Sequence, residues 1–315
     1  MRPLIVFRKT PNFNFMRYHV LGLAFSALLT VVSVVAFLTM GLNYGIDFKG
    51  GVLIEARSTS GPADLGQLRA KLDALHIGEN SLQGFGGPND VLIRLSQQPG
   101  GDAGQEAAVN KVREALGNTI EFRRVEVVGP KVGEELVRAG ALATVLALLA
   151  IAAYVWFRFE WQFGIGAMIS TAHDVVTTIG LFALLHLEFN LTTLAAILTV
   201  AGYSINDTVV IYDRVRETMR KFKTMDFAAL INLSLNETLS RTILTVSTVA
   251  LAVLSLLFFG GEVLRGFSIA MLWGIVIGTY SSLFIAAPLL QYIRPKRGTE
   301  AKKPGDTAGG VEQAT

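Results

Sequence analysis

The chain has 315 residues, no cysteine, a formal net charge of +3, and 51% hydrophobic against 17% charged residues. An ordinary soluble domain is about 25% charged, so this balance, with a mean hydropathy of +0.46, excludes a simple water-soluble globule. The missing cysteines exclude disulfides and thiolate metal ligands.

Residues 1–17 form a basic segment (Arg2, Arg8, Lys9, Arg17) ahead of an apolar run at 18–40. That run is longer than the ~7–15 residues of a secretory h-region, and no small-residue cleavage site follows, so it is expected to remain as a membrane anchor. Residues 41–135 form the one long polar region. "GVLIEARS" alternates as a strand, "PADLGQLRAKLDAL" repeats Leu65, Leu68, Leu72 and Leu75 at helical spacing, and "SLQGF" and "DVLIRLS" read as two strands joined through Gly86 to Asn89. "AGQEAAVNKVREALG" is a second helix closed by Gly117, and "TIEFRRVEVV" is the last strand. The order βαββαβ predicts a ferredoxin-like unit.

Further apolar runs follow at 136–157, 163–186, 191–212, 243–259 and 267–292. Each is near the ~20 residues that cross ~30 Å of hydrocarbon. The expected fold is therefore an α-helical polytopic membrane protein with six transmembrane helices and a small extracytoplasmic α+β domain between the first and second. Residues 213–242 carry apolar side chains at helical intervals (Met225, Ala228, Ala229, Ile231, Leu235) and predict an amphipathic helix lying on the inner membrane face. The stretch 293–315 is a cytoplasmic tail, expected to be disordered.

Lys and Arg set the orientation. The segments on the N-terminal side of the membrane carry sixteen of them, whereas the two short loops opposite, "LEFN" and "GGEVLRG", carry only Arg265. Both termini are thus expected in the cytoplasm and the 41–135 domain outside it. This distribution accounts for the sequence pI of about 9.1 through topology and contact with anionic membrane lipids, and no nucleic-acid partner is called for.

The spans contain polar groups that hydrocarbon penalises. A carboxylate at the centre of a membrane helix costs roughly 2.5–3.5 kcal/mol on insertion scales. The fourth span carries Thr199, Tyr203, Asn206 and Asp207 at steps of four, three and one, with Asp213 just beyond its inner end. The third span carries Ser170, His173, Asp174 and Thr177, and the fifth opens on Arg241, followed by Thr245, Thr248 and Ser255. Such stripes must face one another or water. At 1.5 Å per residue Asp207 lies ~8 Å from the inner end of its span, within reach of a guanidinium entering from that side, so Asp207 and Arg241 are read as a pair whose carboxylate takes up and releases a proton. Asn206, Asp213, His173 and Asp174 are candidates for a secondary relay. The hydroxyls Ser170, Thr177, Thr245, Thr248 and Ser255 are read as helix glue, and Gly274 with Gly278 as a close-packing G-x-x-x-G. N-x-[ST] matches at Asn190, Asn206, Asn232 and Asn236 fall where glycosylation is not expected. No Gly-Lys dipeptide, H-E-x-x-H or G-x-S-x-G occurs, so Walker-type ATP hydrolysis and the common hydrolase chemistries lack their motifs. No enzyme activity and no cofactor are expected, with the proton as coupling ion.

"GLNYGIDFKGG" after the first span, "VVGPKVGEEL" before the second, "AGYSINDTVVIYDRVRE" on the fourth, "NETLSRTILT" into the fifth and "GTYSSLFIAAP" on the sixth resemble, in order, the signature segments of the SecF family of bacterial protein-export membrane subunits. The resemblance covers about Gly41 to Pro288. It implies one six-helix half of an assembly of the resistance-nodulation-division type, with SecD as the other half. Implied partners are the SecYEG translocon, with SecA and YajC, and the translocating preprotein. The implied activity is export driven by the proton-motive force across the plasma membrane. The family's proton-coupling Asp matches Asp207 in "SIND" and its membrane Arg matches Arg241 in "LSRT". Tyr212 stands where Phe is usual in the family, and at an interfacial position it is expected to be tolerated. The alternative is a proton-coupled small-molecule or lipid exporter half of the same superfamily.

Overall fold

The computed structural model describes residues 10–295. The basic residues Arg2, Arg8 and Lys9 and the tail from Lys296 lie outside them. The first span is α1 (His19–Met40), preceded by a single 3-10 turn, Phe15–Tyr18. Its entry is held by side chains of a distant helix: the amide of Asn236 exchanges two hydrogen bonds of 2.8 Å with the Phe13 backbone, and Asn232 accepts from Met16 N–H at 3.4 Å. Two of the dismissed N-x-[ST] asparagines therefore serve as backbone clamps.

A short strand β1 (Asn43–Tyr44) and a one-turn helix α2 (Ile46–Lys49) come next. The external domain then runs β2 (Gly51–Ser58), α3 (Leu65–Asp73), β3 (Asn80–Phe85), β4 (Gly87–Leu95), α4 (Gly101–Leu116) and β5 (Ile120–Val128). Its sheet has the order β3-β4-β2-β5 with every neighbouring pair antiparallel, the arrangement of a split βαβ unit. One sheet face and both helices enclose a core of Val52, Ile54, Leu72, Ile93, Leu95, Val112 and Leu116, each essentially inaccessible. The β3–β4 connection is tighter than the sequence implied: β4 begins at Gly87, leaving Gly86 at φ +74° as the turn.

The remaining spans are α5 (Pro130–Arg158), α6 (Trp161–Leu184), α7 (Leu191–Lys221), α8 (Phe227–Phe259) and α9 (Arg265–Ser281), which continues through a π-helical stretch, Ser282–Ala286, into α10 (Ala287–Ile293). Among the described residues six helices, α9 to α10 counted as one, are long and apolar enough to cross a membrane. A two-residue strand β6 (Glu188–Phe189) joins α6 to α7 and pairs in parallel with β1. In the most apolar windows of α6, α7 and the α9–α10 unit, 56%, 50% and 61% of residues are buried, against 17%, 6% and 11% for α1, α5 and α8. The first three form the centre of the bundle and the others its periphery.

Small residues bring the central helices together. A Cβ at Gly274 of α9 meets Val200 Cγ2 of α7 at 2.2 Å, and one at Gly278 meets Ser204 Cβ at 3.0 Å. Gly180 of α6 lets Ser33 of α1 approach in the same way, at 2.2 Å.

The amphipathic surface helix expected over 213–242 does not form as a separate element. α7 runs straight to Lys221, residues 222–226 turn, and α8 starts at Phe227 with Asp226 Oδ2 capping Ala228 and Ala229 N–H at 3.0 and 3.1 Å. Phe227, Leu230, Ile231 and Leu235 are buried against Tyr212, Val215, Met219 and Leu290. The apolar face predicted for lipid is thus turned onto the end of the bundle itself.

Candidate functional site

Four polar groups on α7, spaced mostly one turn apart, tie it to its neighbours. Ser204 donates to Asp174 Oδ2 on α6 at 2.5 Å. Thr242 on α8 donates to Asp207 Oδ1 at 2.8 Å. Thr208 and Ser282 hydroxyls lie 2.7 Å apart, and Tyr212 donates to the Ala286 carbonyl at 3.0 Å. Residues 204, 208 and 212 repeat at i+4 and therefore share one face, while Asp207 is turned toward α8. The last two bonds reach the π-helical stretch just ahead of Pro288, whose ring and missing N–H disfavour a regular α-helical turn there.

Asp174 is fully buried and saturated. Oδ2 accepts from both Ser204 and Ser281 (2.7 Å), and Oδ1 lies 3.0 Å from His173 Nδ1. Ser170 extends the cluster by donating to Ser281 at 2.9 Å. Asp174 is thirteen residues from Trp161, and Ser204 thirteen from Leu191, so this knot lies ~20 Å from the opposing starts of the two helices, in the middle of the bundle. It joins α6, α7 and α9. His173 Nε2 is buried without a hydrogen-bond partner.

Asp207 is 8% exposed, and only one of its oxygens is engaged: Oδ2 is buried with no hydrogen-bond partner. The expected contact with Arg241 is not made. Among the described residues no ion pair joins them; Arg241 is exposed at the edge of α8, near enough to act on Asp207 only through its field. The reason is helical phase. Thr242, one residue on, faces α7 and takes the carboxylate, and that turns Arg241 roughly 100° away. The same rotation leaves Thr248 and Ser255 on the exposed side of α8, each bonded to its own helix backbone, while Thr245, also exposed, is hydrogen-bonded to Tyr203, so this stripe meets that of α7 at Thr245 and turns away beyond it. Thr199, Gly202 and Asn206 of α7 are exposed as well. Together they make an outward polar face across α7 and α8, with Asp207 just behind it.

The other residues named from sequence fall elsewhere. Asp213 sits beside the C-terminal end of α5 and forms an ion pair with Arg158 at 2.6 Å, both about two-fifths exposed. Tyr212 is not interfacial: it is fully buried, edge-on to Phe163 at 5.1 Å and Phe159 at 5.8 Å. Gly166 makes room for its hydroxyl, since a Cβ there falls 2.4 Å from it. Sequence reasoning missed Ser204, Ser281 and Thr242, although Ser204 adjoins Asp207 in "SIND" and Thr242 adjoins Arg241 in "LSRT".

Residues 108–296 match the family model described as protein export membrane protein SecD/SecF, C-terminal, and residues 35–61 match the SecD/SecF GG motif. The protein translocase subunit SecF of Rickettsia rickettsii is 45% identical over 295 residues, covering 91% of this chain and 94% of that one. The chain belongs to the SecF family. SecF of Rickettsia prowazekii is also 45% identical, over 90% of this chain and 92% of its own. Among solved structures, SecDF of Thermus thermophilus, described as a translocon-associated membrane protein, superposes with a TM-score of 0.78 at 36% identity over 90% of this chain. SecDF in a super-membrane-facing form gives 0.68 at 36% identity over 93%. The chain spans about two-fifths of those SecDF chains, 39% and 40%. A SecF family member is a multi-pass subunit of protein export, and these relatives do not favour the exporter alternative.

Proposed function

We propose that this chain is the SecF half of a SecD–SecF pair in the plasma membrane, and that it uses the proton-motive force to assist late preprotein translocation through SecYEG, after SecA and alongside YajC. Asp207 is the proton carrier. The observation that carries this reading is the half-satisfied carboxylate: Oδ1 is held by Thr242 while Oδ2 is buried and open. A proton can arrive there without displacing a partner.

The outward polar face of α7 and α8 supports an incomplete site. Asn206, Arg241 and Thr245 set at membrane depth against lipid would be costly, so a second six-helix half is the natural cover, with Arg241 and Asn206 meeting SecD there. The shortfall of this chain against the SecDF chains is consistent with that. Asp174 and His173 serve chiefly as the knot that fixes α6, α7 and α9, with His173 Nε2 as its one open position. The charge distribution supports cytoplasmic termini and an external 41–135 domain.

A proton crossing ~100 mV releases about 2.3 kcal/mol, which is a ~50-fold shift between two states of the bundle. Protonation of Asp207 removes a buried charge and weakens its tie to Thr242, so α7 and α8 are the helices whose relation changes. The test is Asp207→Asn in vesicles containing SecD and SecYEG, with export and proton flux recorded together. The complex is expected to assemble and to lose proton-dependent export while SecA-driven export persists. Unchanged proton-dependent export removes Asp207 from this role.

A further inference from the structure

The segment between α1 and the sheet packs against α5, where Gly133 lies against Asp47 and Gly50, and is also bonded to the start of α7. Asn43 and Tyr44 pair in register with Glu188 and Phe189, and Gly45 N–H donates to the Phe189 carbonyl at 2.9 Å. Asp47 Oδ2 accepts from Leu191 N–H at 2.9 Å. That N–H belongs to the first residue of α7, where the last turns of α6 offer no partner. The N-cap residue Asn190 serves Thr193 N–H instead, also at 2.9 Å, so the helix start is capped twice, once locally and once from residue 47.

The external domain grips the same point. Arg94 on β4 forms an ion pair with Glu188, whose side chain is about three-quarters buried. Gly45 leaves room for the Glu188 carboxylate, since a Cβ there falls 2.7 Å from Glu188 Oε1. Gly51 sits at φ +123° with a virtual Cβ 2.4 Å from the Leu95 carbonyl, which accounts for the second glycine of the motif. Around these contacts a cleft of about 570 Å³ separates the outer face of the sheet from the bundle's outer end, so the domain is attached to α7 at one joint and has open space beside it.

An α-helix is axially stiff. Asp207 lies sixteen residues, ~24 Å, along α7 from Leu191, and a displacement of the helix start is carried to the carboxylate. We propose that Asp47 is a positioning residue for Asp207: with the Arg94–Glu188 ion pair it forms a joint through which the external domain sets the axial position of α7. The link from joint to proton rests on the reading of Asp207 above. The joint itself does not.

The absence of native cysteines makes the test clean. A single Thr192→Cys, exposed at the start of α7 where it lines the open cleft, reports the helix position by its rate of labelling with a water-soluble maleimide in the assembled SecD–SecF complex. Asp47→Ala is expected to change that rate by about tenfold, the equilibrium equivalent of one hydrogen bond, and to move the pH midpoint of proton flux. Asp47→Asn, which can still accept from Leu191, restores both toward wild type. Arg94→Gln, outside the domain core, shifts both in the same direction by less. A wild-type labelling rate in Asp47→Ala overturns the joint; if that chain does not accumulate, a wild-type rate in Arg94→Gln does so. A changed rate with an unchanged pH midpoint leaves the joint standing and overturns its control of Asp207. Should Asp207→Asn export normally while Asp47→Ala still alters labelling, the proton assignment falls and the joint survives.

Discussion

The external domain and the membrane bundle treat their carboxylates in opposite ways. Outside, Asp90 is held by Arg57 at 2.6 Å, and Glu55 and Glu126 by Arg124. Inside, Asp174 and Asp207 are held by hydroxyls and a neighbouring imidazole, with no arginine or lysine in contact. In water an arginine partner contributes little, with a median of about 0–1 kcal/mol, and its loss is tolerated. In a dry interior, hydroxyl ties hold helices together while leaving the charge itself uncompensated. Such a group can change protonation without an ion pair having to break. The bundle's two acids then differ: Asp174, with both oxygens occupied, joins three helices, and Asp207 has one oxygen open, as the proposed proton role requires.

Asp174→Ala is the strongest way to break this contrast. It strands the hydroxyls of Ser204 and Ser281 and the His173 ring in the bundle centre, at roughly 1–3 kcal/mol for each unpaired group. The expected outcome is loss of folded protein from the membrane, read by steady-state level and thermal unfolding in detergent. A wild-type melting profile would show that the knot holds nothing. Thr242→Val sharpens the comparison at Asp207. The near-isosteric change removes its one hydrogen bond, with about 1 kcal/mol lost and a displaced pH midpoint of proton flux, both restored by Thr242→Ser. An unmoved midpoint would mean that Thr242 only fills space.

Asp90→Asn is expected to have the smallest effect. Arg57 holds the Asp90 carboxyl below its ordinary value, mainly through their hydrogen bond. A depressed folded-state value contributes stability above the unfolded-state value of ~3.9 and loses it as pH falls through the folded one. In denaturation of the full chain the difference between wild type and variant is therefore present at neutral pH and fades in the acid range below ~3.9. A difference that grows on acidification would contradict the assignment. Glu188 behaves in the other sense. Burial pushes its carboxyl up, against the opposing Arg94, with Asp47 and Glu126 adding to the rise, so acid reaches the joint before it reaches the Asp90 pair.

The fold was legible because its signals are periodic. Apolar runs of spanning length and the alternation of "GVLIEARS" leave few architectures open. Asp207 was legible because a lone acid in hydrocarbon is rare. Its partner was not, since choosing Thr242 over Arg241 depends on the rotation of α8, and a shift of one residue turns a helix face by ~100°. Ser204 and Ser281 were hidden for a related reason: serines are common glue in membrane helices, and nothing local marks those that meet an acid. The 213–242 segment was misread because Phe227, Leu230, Ile231 and Leu235 make the same apolar stripe whether it covers lipid or the end of a bundle. Asp47 went unnoticed because its contact with Leu191 spans 144 positions of sequence.

Difference infrared spectroscopy on vesicles of the SecD–SecF complex, recorded as the outer pH is lowered, tests the proposed difference between the two acids most directly. Beyond the signal of the solvent-facing acids and Glu188, which all variants share, a further protonated-carboxyl band is predicted to rise in wild type, to be absent in Asp207→Asn, and to remain in Asp174→Asn. A further band that persists in Asp207→Asn and disappears in Asp174→Asn would contradict the account.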